Sequence, residues 1–142
     1  MNLNIVLIII ILLEIWGITA VKTKQLLGSM IYYTQLSNAA AMISAFFLLV
    51  FGNKTWITGF RFLSVCMLVM TGLVTAFVLQ PLLKNSKLLF WSRSGFFLHI
   101  VCPILNVISY YCLEPHAEKA MVFLPPAVTL LYGGIMLYMN YI

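Results

Sequence analysis

The chain has 142 residues, of which 63% are hydrophobic and only 8% charged. Soluble domains carry about 25% charged residues, and a chain this short cannot enclose so much apolar surface in one core. That excludes an ordinary soluble globular protein, and disorder, which needs the opposite composition. The formal net charge of +5 comes from eight scattered Lys and Arg with no basic run, so no nucleic-acid partner is expected.

Five apolar runs are long enough to cross a bilayer: Asn4–Val21, Ser29–Phe51, Trp56–Gln80, Gly95–Leu113 and Met121–Tyr141. The expected fold is all-α, a polytopic membrane helical bundle of about five transmembrane helices, read as one domain over residues 1–142. The first run has no basic segment before it and is long for a signal peptide, so it is read as the first membrane helix. Lys22 and Lys24 lie in the first break, and Gly52 to Thr55 form the second. Pro81 closes the third run, and Lys84, Lys87 and Arg93 follow it. Glu114, His116, Glu118 and Lys119 lie in the last break. Five Lys and Arg near the first and third loops face three (Lys54, Arg61, Lys119) on the other side, which favours the first and third loops inside. Phe90 and Trp91 suggest a segment lying on the membrane surface. Cys66, Cys102 and Cys112 show no metal spacing and read as buried free thiols. No metal or cofactor is expected.

Ionisable groups inside a bilayer are functional candidates, which singles out Glu14 and His99. Arg61, near the start of the third run, is expected to snorkel outward. Counting from the side of the first and third loops, Thr34 and His99 each lie about 7 Å deep, and Glu14 about 12 Å, at 1.5 Å rise per residue. Thr75 falls near the same layer and reads as packing. Thr34, Ser37, Asn38, Ala41 and Ala45 share one helix stripe, whose small residues suit close packing. His99, Cys102, Pro103 and Asn106 share another. Pro103 cannot donate to the His99 carbonyl, so a bend is expected there. Gly133–Gly134 suggests close packing, and Pro125–Pro126 a kink or a late helix start.

A hydroxyl beside an imidazole is the minimum for nucleophilic catalysis. Thr34 would attack an ester carbonyl and His99 would act as general base. Asn38 and Glu14 are both candidates to orient the ring, and Tyr32, Tyr33 and Asn106 are candidate oxyanion donors. The competing readings are a small proton-coupled transporter using Glu14 and His99, and a non-catalytic membrane scaffold. In the scaffold, the Thr34 hydroxyl would only back-bond to the Met30 carbonyl.

Tyr32-Tyr33-Thr34-Gln35-Leu36-Ser37-Asn38 resembles the Y-x-T-x-x-(S/T)-N opening of a membrane helix in the androgen-induced-protein family and its small bacterial relatives. His99-Ile100-Val101-Cys102-Pro103 resembles that family's later H-x-x-x-P segment. The resemblance covers about residues 28–135. It implies a multi-pass hydrolase of fatty acid esters of hydroxy fatty acids, with Thr34 as nucleophile and His99 as base. Its substrate would be a lipid ester entering from the bilayer through an apolar tunnel ending at Thr34, and its location a membrane, the cytoplasmic membrane if bacterial. A distant acyltransferase branch carries Cys where this chain has Thr34. Family members have six crossings against about five here, and a homo-oligomer is one source of a further helix.

Overall fold

The computed structural model describes residues 2–19, 33–79 and 93–141, and within them the protein is all-α with five helices. Helix α1 is Leu3–Thr19 and α2 is Tyr33–Phe51. Helix α3 is Thr55–Val74 and runs on through a wide π turn, Thr75–Leu79. Helix α4 opens with Arg93–Phe96, widens into a second π turn, Phe97–Val101, and continues as Cys102–Leu113. A 3-10 turn, Lys119–Phe123, leads into α5, Leu124–Tyr141. Three stretches, Tyr33–Phe51, Thr55–Phe77 and Lys119–Met139, are long and apolar enough to cross a membrane, and Leu3–Thr19 and Phe97–Leu113 are shorter apolar helices. Lys22, Lys24, Met30, Tyr32, Pro81, Lys84, Lys87, Phe90 and Trp91 lie outside the described residues.

The breaks follow local chemistry. Gly52 ends α2 with φ +70, which a residue with a side chain rarely adopts, and its N–H closes on the Leu48 carbonyl at 3.1 Å. Pro103 lacks the N–H that would bond the His99 carbonyl, and the chain answers by widening the preceding turn, with the Cys102 N–H reaching back to Phe97. Pro103 then sits in the first turn of Cys102–Leu113, where a proline is tolerated. Pro125 and Pro126 likewise occupy the first turn of α5, so they mark a late start.

Helices α1 to α4 pack around a shared interior. At one end, Val6, Leu7, Ile10, Ala45, Leu48 and Ile57 form an apolar cluster. Along the α2–α3 seam the contacts are hydroxyl pairs: Ser44 to Ser64 at 2.8 Å and Ser37 to Thr71 at 2.9 Å. Seven residues separate the partners on each helix, in opposite directions, so the two pairs fix one antiparallel register. Helices α1 and α4 meet at Gly17, where an added Cβ would lie 2.6 Å from Leu98 Cδ2.

Helix α5 stands apart. Met121 packs on Gly59, the Tyr33 hydroxyl meets that of Thr129 at 2.9 Å, and the Tyr33 and Tyr132 rings lie 4.9 Å apart. The rest of α5 is largely exposed, including Leu130, Leu131, Leu137 and Tyr138. Close packing expected at Gly133–Gly134 does not occur among the described residues: none of them lies within 4 Å of a Cβ at either glycine. Of the three thiols, Cys102 is buried, Cys66 half-buried and Cys112 exposed, which corrects the expectation that all are enclosed.

Overpacking a tight contact costs about 1–3 kcal/mol. Gly17→Val is therefore expected to lower the thermal unfolding midpoint in detergent, whereas Gly133→Ala and Gly134→Ala should leave it level or raise it. A midpoint for Gly17→Val equal to wild type would show that α1 and α4 do not meet there.

Candidate functional site

The His99 ring sits in the π turn of α4, and its Nδ1 lies 3.4 Å from Thr75 Oγ1, itself in the π turn of α3. Thr75 is fully buried, and its hydroxyl contacts the imidazole. Wide turns of this kind are rare and are frequent at functional sites. The His99 carbonyl faces Gly72, 4.0 Å from where a Cβ would be, so α3 lies close to the backbone that Pro103 disturbs.

Extending the Ser37–Thr71 register by one turn brings Thr34 level with Val74, next to Thr75. Thr34, Thr75 and His99 therefore occupy one layer of the bundle. Thr34 is half-buried. Its backbone carbonyl receives the Ser37 hydroxyl at 2.9 Å and the Asn38 amide at 2.7 Å. Asn38 thus anchors the turn that carries Thr34. Tyr33, a candidate oxyanion donor, is engaged by Thr129.

About one turn deeper lies a second polar group. Glu14, wholly buried, accepts from the Asn106 amide at 3.2 Å, and the Cys102 thiol lies beside its carboxyl. The same Asn106 amide donates to the Cys102 carbonyl at 2.8 Å. Asn106 is therefore committed to Glu14 and its own helix, not to an oxyanion.

Beyond Asn106 stands the Arg61–Glu114 pair. Arg61 does not snorkel out; it is 1% exposed. Its Nε and Nη2 donate to the two Glu114 carboxylate oxygens at 2.9 and 2.8 Å, and Nη1 donates to Asn106 Oδ1 at 2.7 Å. The Ser109 hydroxyl adds a fourth bond, 2.6 Å to Glu114. Glu114 ends α4 in extended conformation, which turns its side chain back into the bundle. The expectation fails because a guanidinium with a buried carboxylate in reach is better satisfied inward than by stretching to a surface. His116, in the following loop, lies against the Tyr110 and Tyr111 rings.

Two open apolar grooves run along the outer side of α3 and α4. One, of about 410 Å³, has His99, Gly72, Ala76 and Pro103 in its wall. The other, of about 820 Å³, lies between α3, α4 and α5 and is bounded by Phe62, Cys66, Pro125 and Thr129. Val69 and Val107 line both, so the grooves are continuous. Among the described residues Thr34 lines neither groove, and His99 lines the smaller.

Compared with protein families, curated proteins and solved structures, the chain matches none.

Removing one partner of a buried ion pair costs about 3–5 kcal/mol. Arg61→Met and Glu114→Leu should each lower the unfolding midpoint in detergent sharply, and the double variant should recover much of the loss. Single variants as stable as wild type would show that the pair is not enclosed.

Proposed function

We propose that the protein is an integral membrane hydrolase of lipid esters, with Thr34 as nucleophile and His99 as general base. The reading of five membrane crossings is supported by apolar helices whose outward faces carry large apolar side chains such as Leu12, Phe46, Phe77 and Leu130, three of them long enough to span. Arg61, neutralised by Glu114, no longer counts as a loop charge. Only Lys54 and Lys119 then oppose the five Lys and Arg near the first and third loops, which favours those loops on the inner side.

The observation that carries the catalytic reading is the Thr75–His99 hydrogen bond in the layer of Thr34. With Nδ1–H donating to Thr75, Nε2 is the basic nitrogen. Thr75 then does for the ring what an orienting carboxylate does in a triad, more weakly. Thr34 Oγ1 adds to the ester carbonyl as its proton passes to Nε2. The tetrahedral intermediate expels the alcohol, which takes that proton, and leaves an acyl-threonine. Water, deprotonated by the same nitrogen, releases the fatty acid and restores the hydroxyl. The groove beside His99 opens sideways along α3 and α4, which suits an acyl chain arriving from the bilayer. The Y-x-T-x-x-S-N and H-x-x-x-P segments supply independent support.

A fluorophosphonate should label the purified protein at Thr34. Thr34→Ala and His99→Ala should each abolish labelling, and Thr75→Val should slow it at least tenfold through a misheld ring. Labelling that survives Thr34→Ala would refute the nucleophile assignment.

A further inference from the structure

The polar residues beneath the Thr34 layer carry more oxygen acceptors than hydrogens to fill them. Thr75 is level with His99, so Thr71 is level with Pro103, and Ser37 joins Thr71 directly. Gly17 is level with Leu98, which sets Glu14 beside Cys102. Glu14, Ser37, Asn38 and Thr71, on three helices, thus stand at heights within about one turn of each other along the bundle. All four are buried, Glu14, Ser37 and Asn38 completely.

Their hydrogens are already committed. The Ser37 hydroxyl points to the Thr34 carbonyl and that of Thr71 to the Met67 carbonyl, yet the two oxygens also lie 2.9 Å apart. Two hydrogens serve three contacts, and lone pairs are left over on both oxygens. Asn38 donates to Thr34, while its Oδ1 has no partner among the described residues. Asn106 donates both to Glu14 Oε1 and to the Cys102 carbonyl, while Glu14 Oε2 has no partner among the described residues. The formal charges point the same way. Among the described residues two buried carboxyls, Glu14 and Glu114, stand with one buried cation, Arg61, whose bonds go to Glu114 and Asn106.

We propose that Glu14 Oε2 and Asn38 Oδ1, with the Ser37 and Thr71 hydroxyl oxygens, form a binding site for one small monovalent metal cation of the Na+ type. Hard cations take oxygen ligands, and a single positive charge that takes the place of the Glu14 carboxyl proton leaves the local charge unchanged, where a divalent ion would overshoot. The site ties α1 to α2 and α3 across the middle of the bundle. It does not rest on the hydrolase reading, although Ser37 and Asn38 also hold the Thr34 carbonyl, because its test reads Na+ and not labelling.

The test uses the full chain in detergent, with Na+ exchanged for choline at constant ionic strength and unfolding followed by tryptophan fluorescence. Wild type should gain a saturable rise in Tm with Na+. Glu14→Gln, which keeps the shape and removes the charge, should lose the rise. Ser37→Ala, which leaves Glu14 and Asn38 in place, should shift the Na+ midpoint upward several-fold. A wild-type Tm that is the same in both salts overturns the site, whatever the variants do. So does a Na+ response that persists in Glu14→Gln, or a stability that follows pH and ignores Na+. Fluorophosphonate labelling of Thr34 is read separately, so the two ideas fail separately.

Discussion

A guanidinium enclosed by apolar helices must be met by an opposite charge and by acceptors for its remaining hydrogens, and the geometry of this bundle answers to that requirement. Arg61 is held from three directions by Glu114 and Asn106. Glu114 stands at the end of α4, so the pair clamps that end to the first turns of α3. Asn106 is set by the same contact, and through it Glu14 on α1. One ion pair thereby fixes the relative height of three helices, and the heights of Gly17 against Leu98 and of Thr75 against His99 agree with it.

The second constraint is the hydroxyl ladder of α2 and α3. Apolar side chains slide over one another at little cost, whereas Ser37 with Thr71 and Ser44 with Ser64 admit one register. A shift of one residue would break both pairs and leave buried hydroxyls facing carbon. The layer that carries Thr34 inherits its height from this ladder.

Much of this was legible from residue order. The five apolar runs return as five helices, offset at their ends by a few residues among those described. The neighbourhood of Thr75 and His99 followed from counting depth. The Arg61–Glu114 pair was legible by the same count, since both lie near the side of the second and fourth breaks. It was missed because Glu114 falls among Pro115, His116 and Glu118, a setting that reads as loop, and because a helix-end arginine usually stretches outward. The separation of α5 was not legible, since its apolar pattern gives no sign of which face finds a partner. Nor was the π turn at Thr75–Leu79, which has no proline to announce it.

The widened turn of α4 sets the azimuth of Cys102–Leu113 relative to the imidazole. It adds a residue to the helix without completing an extra repeat, and an α-helix rotates about 100° per residue. Loss of a single residue within 97–101 would let the backbone relax to regular winding and swing one part of α4 against the other by roughly this angle. Hydropathy and overall length would be nearly untouched, yet His99 could not face Thr75 while Asn106 faces Glu14 and Arg61. Chains of this architecture that differ by one position in that stretch would therefore look alike in composition and be chemically unalike.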